Sequence, residues 1–287
     1  MYNKEGRLWP RGMIIKRGWG ETGMSNETGQ KKEKKIRLTV VSTYHYVRLV
    51  ARSLTFLVLL VYYVIYRLLG GDDIEQVIES HPAVLVFIWA FFIVEMILRF
   101  FPSKFESPGC QKQFAKNYVK TGNTKIEIQD NNAVMLVALI WIAFNGVFGA
   151  LHMQGILDDG IMILLCSFYS VCDMICILFF CPFQSWLLKN KCCCTCRIYN
   201  WDYAMMFTPL FFVQKSYTWS LLVISMALLA RWEITFYKYP ERFSETTNAY
   251  LHCQNCTEKL CTHKKQLKSL WQKIAEYTQE RIKKLKL

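Results

Sequence analysis

Five long apolar runs constrain this chain more than any other feature of its sequence. The runs cover residues 49–69, 82–101, 133–153, 161–183 and 217–239. A helix needs roughly 20 mostly apolar residues to cross the hydrocarbon core of a bilayer. Each run meets that length, whereas soluble enzymes, secreted disulfide-rich domains and disordered proteins do not carry five such runs. The sequence therefore predicts an all-α, polytopic helical membrane protein.

The charges between these runs alternate in sign along the chain. Basic residues precede the first run and follow the second and the fourth, whereas the loops after the first and third runs carry acids. Lys and Arg are enriched in the cytoplasmic loops of membrane proteins. The alternation therefore predicts a multi-pass protein of the plasma (inner) membrane whose N-terminus is cytoplasmic.

The basic C-terminal region conflicts with five simple crossings, because five crossings would place it outside. A shorter apolar run with a central proline, residues 203–213, precedes the last long run. If residues 197–239 form a helical hairpin, the chain returns to the side on which it entered the membrane. Non-helical backbone around Pro209 is tolerated in a membrane only where protein covers it. We therefore expect five to six membrane segments, with both termini cytoplasmic.

The composition along the chain divides it into three regions. Residues 1–46 are polar and basic, and we expect them to be disordered because they offer little apolar surface to bury. Residues 47–240 form the helical transmembrane domain, and residues 241–287 form a cytoplasmic Cys/His segment that ends in a basic amphipathic helix. That helix, residues 264–287, is predicted to bind anionic lipid headgroups. A membrane-protein partner is the alternative, and nucleic acid is disfavoured because no reader motif is present.

The chain has 12 cysteines, and most of them lie near the predicted cytoplasmic ends of the last two runs. Two Cys-x-x-Cys pairs are present, Cys193 with Cys196 and Cys253 with Cys256. Cytoplasmic thiols stay reduced, which disfavours structural disulfides. Two such pairs supply four thiolates, the ligand set of Zn²⁺ or of an iron–sulfur cluster. The hairpin would bring the two pairs together, so the sequence predicts a metal site there.

Two further cysteines extend this prediction. Cys261 follows the second pair, and Cys181 ends the fourth apolar run immediately before a proline. Because these places hold more thiols than one zinc ion needs, the pattern favours an iron–sulfur cluster slightly over Zn²⁺. The spacing alone does not decide between the two.

Polar residues inside the runs form a second candidate site. Asp173 lies near the centre of the fourth run, Asn145 near the centre of the third, and Glu95 towards the end of the second. A charged group at this depth is costly, so it should face other helices or water. We expect Asn145 to be a partner of Asp173 and Arg99, four residues after Glu95, to pair with Glu95.

Three functions fit these features. The first is membrane-linked electron transfer or redox chemistry at the metal site, with a redox partner. The second is an ion or small-solute transporter or channel that uses Asp173, and the third is a membrane scaffold or assembly factor with structural zinc. No nucleotide-binding or hydrolase motif is present, so no catalytic residue is predicted.

Overall fold

The computed structural model describes residues 39–69, 82–190, 192–256 and 258. The predicted disordered region up to residue 38, the amphipathic helix 264–287 and Cys261 lie outside these residues. The described chain is helical, with only an isolated bridge between Lys120 and Asn248 in the extended conformation.

Seven α-helices of the described chain position the candidate sites. They are α1 (Val40–Leu68), α2 (Pro82–Leu98), α3 (Pro108–Gln111), α4 (Asn131–Met153), α5 (Asp159–Leu178), α6 (Asp202–Phe207) and α7 (Ser216–Lys238). Four of them, α1, α4, α5 and α7, are long and apolar enough to cross a membrane. This confirms the all-helical fold, with four candidate membrane spans in the described chain. The number of crossings stays a prediction, since α2 has only 17 residues.

Side-chain caps fix where these helices begin. Thr39 accepts a hydrogen bond from the backbone N–H of Ser42, so α1 begins at Val40 rather than at residue 47, the predicted start of the membrane domain. Asp158 accepts the N–H of Ile161 at 2.8 Å and starts α5. These oxygens satisfy backbone donors that the first helical turn leaves without partners. Residues 40–46, predicted to be disordered, are therefore the first turns of α1.

The contacts between helices give their relative directions. Arg52 of α1 pairs with Asp173, which lies in the second half of α5. Arg67, near the end of α1, pairs with Asp158 at the start of α5. The helices α1 and α5 are therefore antiparallel. Trp89 of α2 donates to Ser220 of α7, whereas Arg231 of α7 donates to the carbonyl of Phe100 just after α2; both pairs are 131 residues apart. Because the sequence separation is the same for both contacts, α2 and α7 run parallel.

Residues 197–213 run antiparallel to α7. At one end, Arg197 and Trp201 donate to the carboxylate of Glu233. At the other end, Thr218 donates to the carbonyl of Val213 at 2.8 Å. Glu233 lies 15 residues after Thr218 on the same α-helix, a rise of about 22 Å. This is the hairpin geometry that the charge pattern favours, and α6 with the 3₁₀ turn Thr208–Phe211 forms its first arm.

The loops at one end of the bundle form a continuous layer, here called the loop layer, made of residues 103–130, 181–201 and 239–256 within the described chain. Ser107 donates to the hydroxyl of Tyr199 at 3.0 Å. The N–H of Ala249 donates to the carbonyl of Val119 at 2.8 Å. These bonds join three loops that are far apart in sequence. The loop layer lies where α2, α5 and α7 end and where α1 and α4 begin.

The two glycines of α4 have different surroundings. A Cβ added to Gly149 would overlap the ring of Phe212, whereas a Cβ added to Gly146 would meet nothing within 4 Å. We expect Gly149→Ala to lower the free energy of unfolding in detergent by about 1–3 kcal/mol, because the Phe212 ring must move. Gly146→Ala is the matched control and should stabilise the helix by up to about 1 kcal/mol. Equal unfolding midpoints for the two variants would contradict this packing.

Candidate functional site

One face of α1 carries three basic side chains into the protein interior. His45, Arg48 and Arg52 are spaced by three and four residues, so they share one face of the helix. Their exposed fractions are 0%, 3% and 1%, respectively. Burying a cation is costly unless an acid pairs with it. The charge pattern counted Arg48 and Arg52 among the basic residues that precede the first run, yet all three side chains face an acid from another part of the chain.

Glu95 is the centre of the resulting ion network. Its carboxylate accepts hydrogen bonds from Arg48 Nε at 2.5 Å, from Arg52 Nη2 at 2.9 Å and from the hydroxyl of Tyr203 at 2.9 Å. Arg48 also donates to the Tyr203 hydroxyl at 2.9 Å. The predicted intramembrane residue Glu95 is therefore fully paired, by two arginines from α1 and a tyrosine from α6.

Arg99, the predicted partner of Glu95, pairs instead with Asp202. Arg99 Nη1 lies 2.6 Å from Asp202 Oδ2, and its guanidinium lies over the ring of Tyr203 at 4.6 Å. Residues four apart on one helix share a face. Here, however, the carboxylate of Glu95 is already paired with Arg48 and Arg52 of α1. The expected pairing within α2 is therefore wrong.

Asp173 also has a different partner from the expected one. Arg52 Nη1 donates to Asp173 Oδ2 at 2.9 Å, so one guanidinium joins Glu95 and Asp173. Asn145 donates to the carbonyl of Trp141 at 3.0 Å and accepts from the hydroxyl of Tyr169 at 3.2 Å. Asn145 therefore fixes the packing of α4 on α5 and is not joined to Asp173.

The network also holds Glu106 of the loop layer, which lies 3.5 Å from Arg48. Three arginines and four carboxylates are thus paired inside the described protein: Arg48, Arg52, Arg99, Glu95, Glu106, Asp173 and Asp202. The rings of Phe92 and Tyr203 cover the Arg52 guanidinium. A nearly neutral, enclosed network of this kind joins α1, α2, α5 and α6.

The predicted metal ligands separate into two groups. Cys253 and Cys256 lie beside Cys192 and Cys194, whereas Cys181, Cys193 and Cys196 line a cavity together with Cys176. We call the first set the C-terminal thiol group (Cys192, Cys194, Cys253, Cys256) and the second the cavity thiol group (Cys176, Cys181, Cys193, Cys196). The two Cys-x-x-Cys pairs therefore fall in different groups.

The turn between Cys192 and Cys196 explains this separation. Residues Cys193–Thr195 form a 3₁₀ turn. In a 3₁₀ helix the side chains of residues i and i+3 lie above one another, so Cys193 and Cys196 share a side of the turn. Cys192 and Cys194 point to other sides and meet the segment that follows α7.

The C-terminal thiol group includes a buried acid. The ligand atoms of Cys194, Cys256 and Glu258 all lie within 4.8 Å of one another. The Cys194 thiol is 3.5 Å from Glu258 Oε2 and shares hydrogen bonds with the thiols of Cys192 and Cys256. Cys253 is exposed at the edge of this group. Two thiols and a carboxylate thus converge on one small space, and the Cys192 thiol reaches this set through Cys194.

His45 and Glu258 leave buried polar atoms without hydrogen bonds. His45 Nε2 lies 3.4 Å from Glu258 Oε1. Both ring nitrogens of His45 and the Oε1 atom of Glu258 have no hydrogen-bond partner in the described part of the protein. The backbone of Glu258 is fixed by the first turn of α1, since Ser42 donates to its carbonyl at 2.5 Å. Unpartnered buried atoms of this kind fit a cation bound by the carboxylate.

Lys112 supplies a positive charge beside both thiol groups. Its ammonium is fully buried and donates to the carbonyls of Cys194 and Cys196 at 3.0 and 2.8 Å. Burial lowers the pKa of Lys112 to about 8 and raises the pKa of the Cys196 thiol to about 12. Hydrogen bonds that the Cys194 thiol donates to Cys192 and Cys256, together with burial, raise the pKa of Cys194. A metal ion would therefore have to displace protons from these thiols.

Several residues of these sites are not among those that the sequence predicts. His45, Arg48 and Arg52 could have been found from their three- and four-residue spacing, which predicts a polar face within an apolar helix. Glu258 follows Cys256 by two residues, as Cys194 follows Cys192. Nothing in the sequence indicates that Glu106 or Tyr203 joins Arg48, because those contacts depend on the packing of distant segments.

No protein family, curated protein or solved structure matches this chain.

Proposed function

We propose that this protein is a membrane scaffold that carries one structural zinc ion in its loop layer. Cys192, Cys194, Cys256 and Glu258 would be the four ligands. The convergence of the Cys194, Cys256 and Glu258 ligand atoms within 4.8 Å carries the proposal. The buried, unpartnered atoms of Glu258 and His45 support it, because His45 would then orient the ligating carboxylate.

The spacing of the ligand atoms favours zinc over an iron–sulfur cluster. A Zn–S bond is about 2.3 Å long, so tetrahedral zinc holds its sulfur ligands about 3.8 Å apart. The thiols of Cys192 and Cys256 are already within hydrogen-bonding distance of Cys194. A cluster of several irons and sulfides must fit between its cysteines and needs them further apart. Since zinc has no redox chemistry of its own, electron transfer is the less supported function.

The charge of such a site also fits its surroundings. Three thiolates and one carboxylate around Zn²⁺ carry a net charge of about −2. Lys112 is buried against the backbone of Cys194 and offsets part of that charge. A buried anionic site without such a cation would be strongly destabilised.

The position of the site indicates a structural role. Four protein ligands leave no open coordination position, which is typical of structural rather than catalytic zinc. The ion would join the 192–194 turn to the segment after α7, and through Glu258 to the first turn of α1. The basic segment 264–287 begins six residues after Glu258. We propose that the zinc holds this segment beside the cytoplasmic leaflet, where anionic lipid headgroups bind it.

Metal analysis of the purified protein tests the proposal. Protein prepared anaerobically without chelators should contain one zinc per chain and no iron or acid-labile sulfide. The variants Cys194→Ser and Cys256→Ser should lose the zinc, because each removes a converging ligand. Cys166→Ser is the matched control, since this buried cysteine lies on α5 away from the loop layer. The variants Glu258→Gln and Cys253→Ser test whether Glu258 or Cys253 is a zinc ligand. We expect only Glu258→Gln to lower the zinc content.

Two results would overturn the proposal. Zinc that persists in both Cys194→Ser and Cys256→Ser would place the metal elsewhere. Stoichiometric iron with sulfide would make the protein an electron carrier and restore the redox function.

A further inference from the structure

We propose that the cavity thiol group is a second metal site, which binds a soft monovalent cation, Cu(I). The cavity has a volume of about 340 Å³ and lies between α4, α5, α6 and the loop layer. Its thiol-bearing wall is formed by Cys176, Cys181, Cys193 and Cys196. None of these cysteines is a ligand of the proposed zinc, so the two sites stand independently.

The end of α5 brings the first two thiols together. The helix ends at Leu178, and Pro182 prevents it from continuing. The chain then turns through the π-helical segment Phe183–Leu187. Cys181 thereby lies back against α5, where its thiol and that of Cys176 share a hydrogen bond. The backbone N–H of Gln184 donates to Cys181 Sγ at 3.4 Å and holds this sulfur in place.

The 192–196 turn supplies the other two thiols. Cys193 Sγ donates to Gln184 Oε1 at 3.0 Å, so Gln184 contacts the thiols of Cys181 and Cys193. Cys196 is 3% exposed and interacts electrostatically with both of those cysteines. Cys193 and Cys196 share a side of their 3₁₀ turn. Two pairs of thiols from separate segments thus face each other across Gln184.

The chemistry of this wall selects the ion. Thiolates are soft ligands that favour Cu(I), zinc or iron–sulfur clusters. Among the described residues, only Cys194, Cys256 and Glu258 bring three ligand atoms within 4.8 Å of one another. No three thiols of the looser cavity group therefore lie close enough to share one ion, whereas Cu(I) is stable with two thiolates. Binding by two thiols releases two protons and leaves copper in the same oxidation state, so no oxidant or reductant is required.

The opposite wall of the cavity carries two acids that are already paired. Asp173 and Asp202 line the same space. Their carboxylates pair with Arg52 and Arg99 at 2.9 and 2.6 Å, so they do not compete for the cation. Carboxylates also favour harder ions such as Mg²⁺ and Ca²⁺ over Cu(I). The thiol wall is therefore where a soft cation binds.

Anaerobic titration of the zinc-loaded protein with Cu(I), in competition with a Cu(I)-specific chelator, tests the site. The full chain should bind one Cu(I) in addition to its zinc and show a thiolate-to-copper absorption band in the ultraviolet. We expect Cys181→Ser and Cys193→Ser to weaken Cu(I) binding by about tenfold or more, with the zinc content unchanged. Cys172→Ser is the matched control, since Cys172 lines the cavity outside the thiol group.

Alkylation of the thiols provides a second measurement that does not require a variant. Bound Cu(I) should protect Cys181 and Cys193 from alkylation, as read by mass spectrometry of the labelled peptides. Unchanged affinity in both serine variants, or absence of this protection, would overturn the site. Loss of Cu(I) in Cys194→Ser with retention in Cys181→Ser would show that copper binds only at the C-terminal thiol group. If the zinc proposal fails, this titration still reports on the cavity.

Discussion

Replacing Glu95 with glutamine is expected to lower the free energy of unfolding by about 3–5 kcal/mol, because a buried ion pair is broken by removing one partner. The carboxylate accepts bonds from Arg48 and Arg52, which are 3% and 1% exposed. A neutral amide leaves these two cations buried with less compensation. The measurement is the thermal or denaturant midpoint of the purified protein in detergent, compared between wild type and Glu95→Gln.

Glu127→Gln is the control for this prediction. Glu127 forms an ion pair with Lys125 in which both side chains are more than half exposed. Such surface pairs contribute about 0–1 kcal/mol, so this variant should unfold like the wild type. If Glu95→Gln has the same unfolding midpoint as the wild type, the ion network does not stabilise the protein.

Asp173 distinguishes this interpretation from transport. In the network, Asp173 is a partner of Arg52, and Asp173→Asn should destabilise the protein in the same way as Glu95→Gln. If Asp173 serves transport instead, Asp173→Asn should abolish ion flux into proteoliposomes while the unfolding midpoint stays close to wild type. The pair of measurements therefore separates the two functions for one residue.

If the proposed zinc is bound, removing it is expected to have the second large effect on the protein. Structural zinc contributes about 10–16 kcal/mol of apparent binding energy in small zinc-binding peptides. Here a strong chelator should release the 253–258 segment from the 192–194 turn, while the long helices retain their secondary structure. Cys192 and Cys256 should then react rapidly with an alkylating reagent, and the unfolding midpoint should fall.

Cys166 is the internal control for this experiment, since it is buried and should stay unreactive with and without the chelator. Returning zinc should restore protection of Cys192 and Cys256. Equal alkylation rates before and after chelation would mean that no metal holds this segment.

The hairpin illustrates how far a sequence argument extends. The sign of the loop charges and the short run around Pro209 predict a helical hairpin over residues 197–239, and its crossing of the membrane stays a prediction. The contacts of Arg197 and Trp201 with Glu233, at one end, and of Val213 with Thr218, at the other, have that antiparallel geometry. Charge alternation is a property of consecutive segments, so it can be counted along the chain.

The cysteines illustrate what residue spacing does not specify. Two Cys-x-x-Cys pairs predicted one four-thiolate site, yet Cys193 and Cys253 lie in different groups. The reason is local, because neighbouring residues of the 3₁₀ turn Cys193–Thr195 point in different directions. A spacing rule that assumes both Cys-x-x-Cys pairs face one ion cannot detect that the two pairs lie in different groups.

The sequence by itself determined the helical class of the protein and its candidate membrane spans, since apolar runs of about 20 residues have the length of a helix that crosses a bilayer. It also determined that acids and thiols would need partners or ligands. Only the tertiary structure decided which partners they have. Arg52 joins Glu95 and Asp173, which lie 43 and 121 residues away along the chain. Such pairings depend on which helices pack together and in which direction, and no local pattern records that choice.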